Sequence, residues 1–194
     1  FPARGIGKTT TARLIAMSLN CESRSINSCE PCGKCESSIG IQEGKSIDFL
    51  EIDAASRTGV EHMRELLSSV HTSPSVSRYK IFLIDEVHML STQAFNAFLK
   101  TLEEPPKHAK FILATTEKHK IIPTILSRCQ IFDFKRVGVS DISNHLAFVA
   151  KSEGINAEQE ALHLIAQKAD GAMRDSLSLF DRLVSFSESN LTYE

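Results

Sequence analysis

The chain has 194 residues, 42% of them apolar, enough for one substantial core or two small ones. Its 22 Lys/Arg against 24 Asp/Glu give a formal net charge of −2, so the overall basic excess of a protein that grips nucleic acid by charge alone is absent. No apolar run is long enough to cross a bilayer and no signal peptide is visible; the chain opens at Phe1 in what reads as a strand-to-loop junction and is expected to be a piece of a longer protein. Charge is uneven along it. From Lys100 to Arg136 eight Lys/Arg face four Asp/Glu, and from Asp141 onward nine acids face four bases, the pattern of two units with different partners.

In chain order, Ala12, Ile15, Ala16 and Leu19 mark one face of a helix over Thr9 to Leu19. A polar, cysteine-containing insertion follows. Ile47 to Ile52 reads as a strand ending at Asp53, and Val60 to Val70 as an amphipathic helix with Val60, Met63, Leu67 and Val70 on one stripe. Tyr79 to Ile84, apolar apart from Lys80, reads as a strand buried on both faces. Ser91 caps a helix carrying Phe95, Phe98, Leu99 and Leu102, closed by Pro105-Pro106. Lys110 to Ala114 and Gln130 to Phe134 read as further strands. Strands alternating with helices imply right-handed crossovers and a parallel sheet, hence an α/β fold. Beyond Val137 no strand signal remains; Asp141–Glu153, Ala157–Ala169 and Met173–Phe186 read as helices, with a domain boundary near Arg136.

Chemistry concentrates at two places. Arg4-Gly5-Ile6-Gly7-Lys8-Thr9 is the back half of a phosphate-binding loop opening a helix. Glycines let backbone N–H groups turn onto phosphate oxygens, and the helix N-terminus adds partial positive charge. Lys8 would neutralise the β and γ phosphates and Thr9 would ligate Mg²⁺. The complete pattern has glycine five residues before Gly7, where this chain has Pro2. Taken alone, the loop could equally be a helix-capping turn. Downstream, Ile81-Phe82-Leu83-Ile84 delivers Asp85-Glu86 at the carboxyl end of a strand, the edge at which parallel sheets bind ligands. Asp85 would hold Mg²⁺ through water, and Glu86 would orient and deprotonate an attacking water. An acidic pair by itself is more often a solvated turn; loop and pair together point to a nucleotide.

Cys21, Cys29, Cys32 and Cys35 are separated by seven, two and two residues. Four soft ligands at such spacing suit a closed, structural Zn²⁺ site, with Pro31 and Gly33 in the turn; free thiols or a redox pair are the alternatives. Cys129 reads as a packing residue and His88 as structural.

Taken together, Gly5-Ile6-Gly7-Lys8-Thr9, Asp85-Glu86-Val87-His88 and Ser127-Arg128-Cys129 resemble the AAA+ ATPases of the clamp-loader clade. Asp53-Ala54-Ala55-Ser56-Arg57-Thr58, the Leu102-Glu103-Glu104-Pro105-Pro106 turn and the cysteine insertion make the chain similar to the bacterial gamma/tau type. The resemblance implies a P-loop AAA+ parallel-sheet domain over 1–136 with a zinc-binding insertion, then a small three-helix lid over 137–194. It implies ATP and Mg²⁺ held by Gly5, Gly7, Lys8, Thr9, Thr10 and Asp85. Glu86 would be catalytic. Thr116 would sit where sensor 1 reads the γ-phosphate, Arg128 would be an arginine finger reaching a neighbouring subunit, and Arg174 would be sensor 2. Taken without the resemblance, Arg128 reads as a helix-end surface arginine and Arg174 as an ordinary salt bridge with Asp170 or Asp175. Arg57, Thr58, Arg64 and Lys100 match positions that hold DNA phosphates, although Gly59 stands where lysine is frequent.

The implied activity is ATP-driven loading of a sliding clamp onto primer–template DNA, in a cytoplasmic pentamer with delta- and delta-prime-type subunits. The resemblance further implies sequence before Phe1 that helps hold adenine and a collar domain after Glu194. This stretch alone is therefore expected to be monomeric or weakly associating and to bind ATP poorly. Two other readings stand beside it. Pro2, lacking a backbone donor, favours a structural subunit that does not turn over ATP. A different AAA+ machine, such as a branch-migration motor, is opposed by the cysteines and Ser127-Arg128-Cys129.

Overall fold

The computed structural model describes residues 4–25, 28–56, 60–187 and 190–192. The chain divides into two units, Thr9–Ile131 and Phe1–Lys8 with Phe132–Glu194.

In the first unit, Ile81, Phe82, Leu83 and Ile84 are completely buried, and their strand is the middle of a three-stranded parallel sheet. The order is β1 (Phe49–Asp53), β2 (Lys80–Asp85), β3 (Ala109–Leu113). In register, Asp53 lies beside Asp85 and Ile84 beside Leu113. Alternate side chains of a strand point to opposite faces, so an unbroken apolar run requires cover on both. Phe82 and Ile84 pack with Met63, Leu66 and Val70 of α3 (Val60–Val70), with Phe95 and Phe98 of α4 (Thr92–Glu103), and with Ile125 of α5 (Pro123–Leu126). Ile81 and Leu83 pack with Ala12, Ala16 and Met17 of α1 (Lys8–Asn20) and with Ile41 of α2 (Glu36–Gln42). Phe111 stacks on Phe82 at 5.2 Å between ring centroids and meets Phe98 edge-on at 5.1 Å. Ser91 caps α4 by accepting the Ala94 N–H at 3.2 Å.

In the connection from α3 to β2, Tyr79 packs on the second apolar cluster, but the stretch of 75–77 before it offers no buried apolar side chain. Asp48 holds it instead. Its carboxylate, in a residue only 2% exposed, accepts the backbone N–H groups of Ser75 at 2.8 Å, Val76 at 2.9 Å and Ser77 at 2.8 Å. Burial opposes the charge, but the amide donors outweigh it, and the carboxyl lies below its ordinary range.

In the second unit, α6 (Val139–Glu153), α7 (Gln159–Lys168) and α8 (Met173–Phe186) enclose a core of Ile142, Leu146, Leu162, Ile165 and Phe180. Arg136 is paired with Asp170, and the Val137 N–H donates to the Gly171 carbonyl at 3.1 Å. Among the described residues no helix is long and apolar enough to cross a membrane.

Two sequence expectations need correction. Gln130–Phe134 is not a strand: it makes no ladder with a neighbour among the described residues, and Ile131 and Phe132 are exposed. Apolar β-formers do not make a strand without a partner to satisfy the backbone. Beyond Val137 there is in turn a short parallel pair, β4 (Asn156–Ala157) with β5 (Asn190–Leu191), too brief to leave a periodic signal.

Replacing Asp48 with Ala should lower the unfolding free energy by about 1–3 kcal/mol at pH 7, read from urea titrations. Because the folded pKa is depressed, this stabilisation is complete above the unfolded value of about 3.9 and is lost as pH falls through the lower folded value. The gap between wild type and variant should therefore close in strong acid.

Candidate functional site

β2 ends on Asp85, half-buried at the sheet's carboxyl edge. Its Oδ2 accepts the Thr9 hydroxyl at 2.7 Å and its Oδ1 accepts the Glu86 N–H at 2.9 Å. The chain then turns sharply: Glu86 adopts the left-handed region, with φ of 47°, a conformation costing a non-glycine residue about 1–3 kcal/mol and concentrated at functional sites. The turn is held open by the Val87 N–H, which donates to the Ala114 carbonyl at 3.0 Å. Glu86 is thereby aimed toward the loop after β3. Its Oε2 accepts both the N–H of Thr116 at 3.1 Å and the Thr116 hydroxyl at 2.9 Å, so the structure joins these two sequence-read residues directly.

Thr9 is the second residue of α1 and Lys8 the first; Thr10, the third, is exposed. Before them Gly5 and Gly7 have φ of 70° and 90°, and a Cβ on Gly7 would meet nothing within 4 Å. Two glycines at positive φ ahead of a helix are what a phosphate-cradling loop requires, and among the described residues nothing crowds the position of a Gly7 side chain. Arg174, second residue of α8, donates its backbone N–H to the Gly5 carbonyl at 3.1 Å. A Cβ at Gly5 would lie 2.9 Å from the Arg174 Cβ. Pro2 lies outside the described residues.

Arg128, two residues beyond α5, donates to the Thr124 carbonyl at 2.7 Å and to Glu103 Oε1 at 2.8 Å. It is engaged at the surface with these groups, not with Asp85 or Glu86. Arg64 on α3 and Lys100 on α4 are exposed; Arg57 and Thr58 lie outside the described residues.

Of the clustered cysteines, Cys21, Cys32 and Cys35 bring their Sγ atoms within 4.8 Å of one another. A tetrahedral ion with ~2.3 Å bonds separates its sulfurs by ~3.8 Å, so the three fit with little movement. Cys29, read as the fourth ligand, does not join them: it is exposed, and its carbonyl accepts the Ser18 hydroxyl at 2.5 Å. The Lys34 and Cys35 backbone N–H groups point at the Cys32 sulfur at 3.4 and 3.3 Å. They lower the Cys32 thiol to about 6. A pre-formed thiolate is what a soft cation requires.

A family model described as DNA polymerase III, delta subunit, matches residues 2–138, and one described as DNA polymerase III clamp loader subunit, ATPase lid domain, matches residues 141–189. The chain is 53% identical over 188 residues to DNA polymerase III subunit gamma of Buchnera aphidicola subsp. Schizaphis graminum. It is 50% identical over 191 residues to DNA polymerase III subunit tau of Bacillus subtilis. The chain belongs to the gamma/tau family of DNA polymerase III clamp-loader subunits. The alignments take in 97% and 98% of the chain but 51% and 34% of those relatives, so it spans about half of their length or less. Among solved structures, the RuvB Holliday junction branch migration motor of Thermotoga maritima superposes with a TM-score of 0.66 at 17% identity, over 97% of this chain and 55% of that one. A gamma subunit-related protein of the same organism gives 0.57 at 23%, over 94% and 61%. At these identities the likeness shows the fold, an AAA+ P-loop domain with a lid.

In this gamma/tau chain the histidine of Asp85-Glu86-Val87-His88 is a polar neighbour of Glu86, 3.3 Å from it, where the sequence reading made it structural. Its spacing of two from Glu86 was the available signal.

The two kinds of thiol should separate by pH. With metal stripped by a chelator, alkylation of Cys32 should be half-maximal near pH 6. Cys129, pushed upward by burial, should react only above the ordinary thiol range of about 8.5. Peptide mass spectrometry across pH reads both; a Cys32 midpoint near 8.5 would mean that the amides do not hold its thiolate.

Proposed function

We propose that this chain is the ATP-hydrolysing core of a clamp-loader subunit, driving the loading of a sliding clamp onto primed DNA in the bacterial cytoplasm. The observation that carries the reading is the 2.7 Å hydrogen bond from Thr9 to Asp85, which ties the start of the phosphate-loop helix to the acidic end of β2. Residues 1–136 serve as the nucleotide-binding domain and 137–194 as its lid. Gly5, Gly7 and Lys8 hold the phosphates, with Thr10 following on the same helix. Thr9 and Asp85, already within hydrogen-bond distance of each other, hold Mg²⁺, which when bound neutralises charge on the phosphates. Glu86 orients the attacking water and takes its proton. Thr116, bonded to Glu86 in this structure, exchanges that contact for the γ-phosphate or the water. Arg174 serves as the lid's sensor 2, reading the bound nucleotide.

Arg128 acts on a neighbouring subunit's nucleotide, so that turnover requires the assembled pentamer with delta- and delta-prime-type partners. Arg57, Thr58, Arg64 and Lys100 grip DNA phosphates, which position a duplex without reading sequence. Cys21, Cys32 and Cys35 would hold a structural Zn²⁺, and Cys29, which stands apart from them in this structure, would have to swing in to serve as fourth ligand; that ion, when bound, would cross-link the insertion.

In the full-length protein with its partner subunits, clamp and primed DNA, Lys8→Ala should abolish the thermal shift produced by ATP. Glu86→Gln should keep the shift and lower kcat by roughly 10²–10⁴-fold. An unchanged ATP response in Lys8→Ala would remove the case for a nucleotide at this loop.

The metal is checked separately by elemental analysis. One zinc per chain is expected, with Cys32→Ser eliminating it and a chelator lowering the melting temperature of wild type alone.

A further inference from the structure

Two residues past Glu86 lies His88, with only 4% of its side chain exposed. Its Nδ1 is 2.9 Å from Thr115 Oγ1 and 3.3 Å from Glu86 Oε2. Its Nε2 is 3.6 Å from Glu117 Oε1. Glu117 also donates its backbone N–H to Thr115 Oγ1 at 3.0 Å and is paired with Lys120 at 2.6 Å. Thr115, Thr116 and Glu117 are consecutive. The middle one holds Glu86 by its N–H and hydroxyl, while the outer two flank the imidazole. A proton on Nδ1 lets that nitrogen donate toward the Glu86 carboxylate, while Nε2 faces the Glu117 carboxylate at a distance longer than a hydrogen bond.

Thr116 and His88 thus converge on a single oxygen, Oε2, of Glu86. A carboxylate on a left-handed turn, secured from two directions, has few rotamers open to it. Removing the imidazole would free the side chain to swing while leaving the phosphate loop untouched.

We propose that His88 is a positioning residue for the water-activating carboxylate. It braces Glu86 against the Thr115–Glu117 loop so that one oxygen is fixed and the other is presented to the reaction. This deepens the function proposed above and rests on it. In this role His88 acts through Glu86 and not on the nucleotide directly.

The test uses the full-length protein in its assembled complex with clamp and primed DNA. It compares wild type, His88→Phe, His88→Asn, Glu86→Gln and the Glu86→Gln/His88→Phe double variant. ATP turnover, ADP affinity by fluorescence titration and melting temperature are measured for each. His88→Phe should lower kcat roughly 10–100-fold, with KM and ADP affinity within about threefold of wild type. His88→Asn, whose amide N–H can stand in for Nδ1–H, should recover most of that loss. In the Glu86→Gln background, His88→Phe should have no further effect beyond about twofold, because it then has no carboxylate to position. An equal fractional loss in both backgrounds, a loss that follows melting temperature in the Phe and Asn variants alike, or an unchanged kcat overturns the proposal. A Glu86→Gln protein that turns over ATP at the wild-type rate would instead overturn the reading of Glu86, and this inference with it.

Discussion

Four consecutive side chains with no solvent exposure, Ile81 to Ile84, determine where the acids of this protein come to rest. The strand is clamped between two apolar clusters, Phe82 and Ile84 on one side and Ile81 and Leu83 on the other. A register slip by one residue would exchange the two faces throughout. Its end is therefore as well defined as its middle. Asp85 and Glu86 follow immediately, where the parallel ladder with β3 runs out and carboxylates can reach solvent. The packing term is large and non-directional, and it sets the position. The polar contacts are individually worth about 1 kcal/mol and set the orientation: Thr9 on Asp85, Thr116 on Glu86. The left-handed turn at Glu86 survives because both neighbouring strands over-determine it.

The surface arginine follows a different logic. Arg128 and Glu103 make a short contact, 2.8 Å, but their side chains are 35% and 52% exposed. Such a pair contributes about 0–1 kcal/mol. A weak tether is what the proposed role in a neighbouring site requires. A guanidinium held at a surface by an inexpensive contact can be transferred to a phosphate with little penalty, whereas one buried in its own core could not.

Much of this was readable from residue spacing. The helix Met173–Phe186 matches its expected bounds, and β1, β2 and β3 each fall within a residue or two of expectation. These are segments where packing and local pattern agree. Three features were not legible, each because the cause is non-local. Lys80 sits buried inside β2 because its ammonium reaches the Ser69 carbonyl at 2.9 Å, a partner eleven residues away. Asp48 looks like an ordinary loop acid until the backbone of 75–77 folds over it. The apolar segment at 130–134 has a strand's composition without a strand's neighbour among the described residues. For the site, the residue types raised the expectation of nucleotide chemistry, but the bond from Thr116 to Glu86 crosses thirty positions and leaves no trace in either motif. The cysteine spacing conveyed that a cluster forms, not that Cys29 would stand apart from it.

Gly5 shows how local and tertiary demands can coincide in one position. Its φ of 70° alone would make a side chain costly there. Space alone would forbid one too, since an added Cβ would fall 2.9 Å from the Arg174 Cβ and 3.6 Å from that of Ala172. The carbonyl of the same residue accepts the Arg174 N–H, one of the donors that the first turn of α8 leaves without a partner inside the helix. The phosphate loop thus caps the lid helix, and the helix in turn limits the loop to a residue without a side chain. Any ligand that reorients the peptide at Gly5 must either carry the first turn of α8 with it or break that hydrogen bond. The loop and the lid helix are coupled by one backbone contact and the absence of one methyl group.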